Sequence, residues 1–262
     1  MKPLVLLCVS TYTLLLSCSK TDLTLSSSGN FEDYWDSYYQ WGGPITSNPL
    51  QRDTILIDAS RDGGLWWFPQ SEQSGFSTER DHQGKYLADH LKQKGFKVVE
   101  LYRGAVISDD LLSRYRFVIR AGGYGNYSQD ELTAYSRFLS REVSLLLLQD
   151  HLANRSNDAL SRMLDLNFTG MISGPVGNFA PHPVTANANL SFTAGSFLNQ
   201  PDTSKVTLLG FITGSSTNDS TRNVVMGIRK HPTARIFFIG DVNGLEQIPQ
   251  PLTTNLFRWL AE

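Results

Sequence analysis

The segment Val143-Ser144-Leu145-Leu146-Leu147-Leu148 constrains this chain more than any other. A strand that is apolar on alternate residues can leave one face in water. This run is apolar on both faces, so both must be covered, which is the condition of a strand at the centre of a parallel sheet. The run stops abruptly at Gln149-Asp150-His151. Its neighbours alternate between strand and helix patterns. Thr54 to Asp58 is a buried-strand run. Glu79 to Lys94 is helical, with Tyr86, Leu87 and Leu91 on one face and Gly95 as the stop. Phe96 to Leu101 is the next strand, Ser108 to Leu112 a short helical turn, and Phe117 to Ala121 a third strand. Ser128-Gln129-Asp130-Glu131 has the spacing of a capping box and opens a helix through Leu139. Later strands are expected at Val206 to Phe211, Val224 to Ile228 and Arg235 to Ile239, and a closing helix at Thr253 to Leu260. Strands alternating with helices predict an α/β fold with a doubly wound, mainly parallel sheet. Asn167 to Gln200, rich in Gly, Pro and Asn, breaks the rhythm and reads as a loop-rich insertion with room for extra antiparallel strands.

The first residues follow a different logic. Lys2 supplies a positive charge, and Leu4 to Leu16 form an apolar run interrupted by Ser10, Thr11 and Thr13. That run is shorter than the ~20 residues a spanning helix needs, so it reads as the core of a signal peptide. It ends in Leu15-Leu16-Ser17-Cys18, which resembles the lipobox of bacterial lipoproteins. The resemblance implies removal of residues 1–17 and acylation of Cys18, with palmitate among its chains. Each buried CH₂ then adds ~0.8 kcal/mol of membrane affinity. Residues 18–50 comprise the lipidated cysteine, a polar Ser/Thr-rich tether from Ser19 to Asn30, and an acidic aromatic arm from Phe31 to Trp41. The arm's rings are expected to pack back onto the domain or to meet a sugar or a partner. Residues 51–262 form the α/β domain.

Removing 17 of the 262 residues leaves 245, enough for one α/β domain or at most two small ones. A formal net charge of −2 provides no footprint for nucleic acid. The two cysteines are Cys8, lost with the leader, and Cys18, consumed by lipid. Ser19 in place of aspartate after Cys18 points to the outer membrane, facing the periplasm or the cell surface.

In open parallel sheets, ligands bind at the carboxyl ends of the strands. The polar residues expected there are Asp58, Arg61, Tyr124, Asp150, His151, Asn154 and Asp241. Trp66 and Trp67 follow the first strand after Gly63-Gly64, in a loop suited either to stacking on a sugar ring or to packing as a lid. His182, before Pro183, is either a ligand contact or a turn former. Asp150 and His151 are the catalytic candidates, as acid and base or beside a metal. The plainer alternative is that Asp150 caps a turn and His151 packs beside it. His82 and Tyr86, one helical turn apart, read as a packing pair. His231-Pro232 reads as a hairpin turn.

The order of these segments resembles the class I glutamine amidotransferase-like superfamily, in its branch of domains carried by bacterial lipoproteins and by proteins of transporters and gliding. The resemblance spans roughly Asp53 to Glu262. It rests on Ile55-Leu56-Ile57-Asp58, on Tyr127-Ser128-Gln129-Asp130-Glu131-Leu132, on Leu145 to His151, and on His182-Pro183-Val184-Thr185. Ala234 to Asp241 and Asn255-Leu256-Phe257-Arg258-Trp259-Leu260 complete it. It implies a flavodoxin-like, glutamine amidotransferase-like sheet. Catalytic members place a cysteine at the turn after the central strand, where this chain has Gln149-Asp150-His151. A thioester mechanism is therefore excluded, and no Gly-x-Ser-x-Gly elbow replaces it. The expectation is a lipid-anchored envelope domain, non-catalytic, binding carbohydrate, another polar ligand or an envelope protein, without cofactor or resident metal. The alternative is an envelope hydrolase acting through Asp150, His151 and nearby carboxylates.

Overall fold

In a computed structural model, the described residues are 51–70, 75–152, 157–213 and 222–262. The leader, Cys18, the tether, the aromatic arm and Asn154 lie outside them.

The first half of the domain follows the alternation of its sequence. Strands β1 (Gln51–Asp58), β2 (Lys97–Glu100), β3 (Tyr115–Ala121) and β4 (Ser144–Leu148) are separated by helices α1 (Lys85–Gln93), α2 (Asp109–Ser113) and α3 (Gln129–Leu139). Helix α4 (Ala159–Met163) then leads to β5 (Phe168–Pro175), β6 (Asn178–Phe179), β7 (Ser191–Leu198), β8 (Val206–Thr213), β9 (Arg222–Arg229) and β10 (Arg235–Ile239). Helix α5 (Leu252–Ala261) closes the chain. All ten strands join one sheet, with the path β2-β1-β3-β4-β10-β9-β7-β5 and with β8 and β6 branching from β9. As its apolar faces require, β4 lies between two parallel neighbours: Leu145 is paired with Val118 of β3 and with Ile236 of β10.

The sheet is mixed, which corrects the expectation of a doubly wound, mainly parallel one. Strands β2, β1, β3, β4 and β10 are parallel, while β9, β8, β7, β6 and β5 pair antiparallel. The reason is connection length. Five residues, with His231-Pro232 among them, separate β9 from β10, and so short a link permits only a hairpin, because a parallel crossover needs a dozen residues or more. The Gly- and Asn-rich stretch from Asn167 to Gln200 supplies β5, β6 and β7, so the insertion extends the sheet.

On one face of the sheet, Leu56, Val118, Leu145, Leu147, Ile236 and Phe238 join a buried cluster with Leu112 of α2, Tyr135 and Phe138 of α3, and Leu160 of α4. On the other, Phe117 meets Phe257 of α5 with ring centroids 5.8 Å apart. Helix α3 starts with the expected capping box: Ser128 Oγ accepts from Glu131 N–H, and Glu131 Oε2 accepts from Ser128 N–H at 2.8 Å. Helix α1 starts at Lys85, six residues later than the apolar pattern predicts. The backbone N–H groups of Gln83 and Gly84 donate to Phe68 O and Trp66 O, which ties that stretch into the preceding loop.

Candidate functional site

Parallel strands β1, β3, β4 and β10 deliver the predicted polar residues to one edge of the sheet, yet few of those residues are left with groups a ligand can use. Asp58 ends β1 fully buried. Its Oδ1 accepts from Ser60 N–H at 3.0 Å and Ser60 Oγ at 2.5 Å, and its Oδ2 accepts from Tyr127 Oη at 2.7 Å and Tyr135 Oη at 2.5 Å. Burial, reinforced by the Asp58 charge, holds both phenols well above their usual range, so both remain donors. A carboxylate with four donors has no lone pair to offer a ligand.

Arg61 is likewise spent. It donates to Glu131 Oε1 at 2.7 Å and to the carbonyls of Asn126, Ser60 and Ala105. Burial raises the Glu131 carboxyl, but N–H groups of Ile107 and Ser128 together with Arg61 outweigh it and hold the group below its usual value. Arg61 and Glu131 thus clamp the loop after β1 to the start of α3.

Trp66 and Trp67 form the packed lid. Trp66 Nε1 donates to Glu100 Oε2 at 3.0 Å, and Trp67 Nε1 donates to Leu101 O at 3.0 Å. Trp67 stacks on Phe76, with centroids 5.4 Å apart. Both indoles are buried, so neither presents a face to a sugar. The pairing of His82 with Tyr86 is corrected too. His82 is buried between Arg80 O at 2.8 Å and Glu100 Oε2 at 2.9 Å, while Tyr86 is 69% exposed.

His182 packs beside α5. Its Nδ1 accepts from Val184 N–H, and its ring meets Trp259 edge-on at 6.2 Å. The carbonyl of Trp259 in turn takes a bond from Arg235, the first residue of β10. His182 is therefore a turn former.

Four predicted residues do gather. Asp150 and Asp241 end the adjacent strands β4 and β10, and Tyr124 donates from Oη to His151 O at 2.7 Å, its ring lying edge-on to the imidazole at 6.0 Å. His151 N–H donates to Asp150 Oδ1, and the His151 side chain is 36% exposed. Asp241 is buried, accepting from Thr193 N–H at 2.7 Å and Asn243 N–H at 2.8 Å. Burial pushes its carboxyl up to about 6; the amides of Asn243, Thr193 and Ala194 oppose that push, and the Asp150 charge adds to it. Asp241 is thus a carboxyl that exchanges its proton near neutral pH beside a second carboxylate. The insertion braces it: a side chain at Gly195 of β7 would collide with Gly240 O and Asp241 Cβ.

Behind this edge is a polar cluster that sequence reasoning missed. Arg120 of β3 is wholly buried, donating to Gly122 O at 2.8 Å and Ser161 Oγ at 3.0 Å, with Asp158 Oδ2 at 3.4 Å. Gln149 Nε2 donates to Asp158 at 3.0 Å. The residue that follows the central strand is thereby turned inward and held. Its signal was an arginine within the apolar run Phe117 to Ala121, because a buried charge demands a partner.

Among the described residues, no three or more His, Cys, Asp or Glu side chains are grouped to hold a metal ion. A small recess with room for about one water molecule is lined by Trp66, Gln83, Val242 and Glu246 among others.

No family model matches the chain, and no curated protein matches it. Solved structures do. The mmIFT52 N-terminal domain superimposes with a TM-score of 0.56 at 12% identity, covering 79% of this chain and 96% of that one. A ThuA-like protein from Bacteroides uniformis gives 0.51 at 15% identity, covering 84% and 95%. Another, from Parabacteroides merdae, gives 0.50 at 13%, covering 79% and 89%. At these identities the likeness is one of fold: a mixed α/β, ThuA-like architecture of the glutamine amidotransferase-like kind.

Proposed function

We propose that this chain is a bacterial envelope lipoprotein, anchored through acylated Cys18, whose α/β domain binds a polar ligand at the carboxyl edge of its sheet without transforming it. The observation that carries the reading is the fate of Gln149. Where the amidotransferase pattern calls for a nucleophile after the central strand, this chain directs an amide inward onto Asp158 and Arg120. The sequence offers no cysteine there. What the edge keeps at its surface are the half-buried rings of His151 and Tyr124, over the buried carboxyls of Asp150 and Asp241. Rings with polar groups beside them suit stacking on a carbohydrate or contact with a protein partner.

The lipoprotein branch of the superfamily is part of the same proposal, supported by Leu15-Leu16-Ser17-Cys18 and the order of motifs from Asp53 to Glu262. Two measurements test it. Palmitate labelling in cells should be lost in Cys18→Ala; a variant that still labels contradicts the anchor. A thermal-shift screen of the full chain against glycans and polyols should yield a ligand that raises the melting temperature by mass action; no response across the panel contradicts carbohydrate binding.

A second reading, an envelope hydrolase, is favoured by one observation. Asp241, held near 6 beside Asp150, has the proton affinity of a general acid. In that case Asp150 or His151 would act as the base, and product would accumulate in the same samples.

A further inference from the structure

The two edges of the parallel sheet differ in charge. At the carboxyl edge, Asp58 ends β1 and Asp150 and Asp241 follow β4 and β10 by two residues, all three buried, with Arg61 and Arg103 in the neighbouring turns. The amino edge, where the parallel strands begin, carries Lys97 at the start of β2, Arg116 in β3, Arg141 ahead of β4 and Lys230 ahead of β10. Arg116 donates to Glu142 O, Arg141 to Leu112 O and Ser113 O, and Lys230 to Thr203 O. These are carbonyl acceptors, so the bonds orient the side chains without cancelling their charge. Lys97 and Lys230 are exposed. Carboxylates do occur at this edge: Asp109 and Asp110 offset Arg137 and Arg114, and Glu142 and Asp53, the latter next to the Thr54–Lys97 pair, are exposed. Helix C-termini attract cations, and the bonds of Arg141 to the end of α2 express that, but Lys97 and Lys230 stand at strand ends.

A second observation points the same way. The described domain begins with Gln51, and the register pairs Gln51 with Tyr115, the first residue of β3. The chain leading from Cys18 therefore enters at the amino edge. The tether thus joins the domain at the edge that carries these basic residues.

We infer that the amino edge of the sheet docks on anionic lipid headgroups through Lys97, Arg116, Arg141 and Lys230, orienting the domain so that Asp150, His151 and Asp241 face away from the membrane. This inference rests on the proposed lipid anchor. Each basic side chain close to an anionic surface contributes about fivefold to membrane association, and the attraction decays over a Debye length. Four together suffice to orient a domain that the lipid already holds at the surface.

The test uses the full lipidated chain in vesicles of phosphatidylcholine alone or with phosphatidylglycerol. Single cysteines for a fluorescent donor are introduced by Ser140→Cys at the amino edge and Asn126→Cys at the carboxyl edge, with an acceptor on the headgroups. The inference predicts energy transfer from position 140 exceeding that from position 126 by roughly threefold or more in phosphatidylglycerol vesicles. The difference should collapse in phosphatidylcholine, in high salt, and in the variant K97E/R116E/R141E/K230E. Should that variant fail to fold, K97E/K230E alone, at two exposed positions, should still reduce the difference. Equal transfer from both positions, or a difference indifferent to lipid charge, overturns it. Palmitate incorporation is measured on the same preparations. With palmitate present and no orientation, the inference fails and the anchor stands; without palmitate at Cys18, both fail.

Discussion

Asp58 accepts hydrogen bonds from three hydroxyls and one amide in a site without water access, and Asp241, also buried, lies next to another carboxylate. The first is a structural acceptor. Asp58→Asn converts charge-assisted bonds into neutral ones and turns an amide donor towards hydroxyl donors, so it should cost roughly 3 kcal/mol in chemical denaturation; an unchanged midpoint would refute that role. For Asp241 the sign of the pH effect is fixed. Its folded-state value of about 6 lies above the ordinary 3.8, so the folded protein binds this proton more tightly than the unfolded chain. The resulting loss of stability is absent below about pH 4 and complete above about pH 6, amounting to roughly 3 kcal/mol at most. Asp241→Asn removes this titration. Its stability relative to the parent should therefore improve between pH 4 and pH 8, and a constant gap would show that Asp241 does not hold its proton.

The connection from β1 to α1 behaves as a packed element. Asp62 takes Arg103 at 2.8 Å, Trp66 and His82 share Glu100, and Trp67 bonds Leu101. All of these partners belong to β2 or to the turn after it. His82→Ala removes a buried partner of Glu100 and should cost roughly 3 kcal/mol, with faster proteolysis between residues 62 and 84. Tyr86→Ala should stay within about 0.5 kcal/mol. Equal losses would contradict the latch. The contrast also shows what a sequence reveals about an element. Periodicity located strands and helices because local apolar spacing dictates them, and Ser128 with Glu131 announced α3 through four adjacent residues. The partners of His82, Asp58 and Arg120 are 18, 77 and 38 residues away, and no local pattern encodes them. In the antiparallel half, β8 and β9 were legible as apolar runs, whereas β5, β6 and β7 showed only as an interruption, since they are defined by pairing with partners distant in sequence.

For the described part of the molecule, the carboxyl edge of the sheet keeps four of the predicted residues together, and five others serve the fold. Asp58, Arg61, Trp66 and Trp67 hold loops and helices in place, and His182 forms a turn beside α5. On the function proposed above, the Asp150–His151–Asp241 edge with Tyr124 binds a ligand and returns it unchanged. The most direct test is equilibrium binding of the best ligand from the glycan screen, with the bound material recovered and its chemical identity checked. The expected result is saturable binding to the full chain, at least tenfold weaker binding to Asp150→Ala and Tyr124→Ala variants that still fold, and ligand recovered intact after prolonged incubation. Converted ligand, with conversion lost in Asp150→Ala, would contradict the claim and establish the hydrolase reading instead.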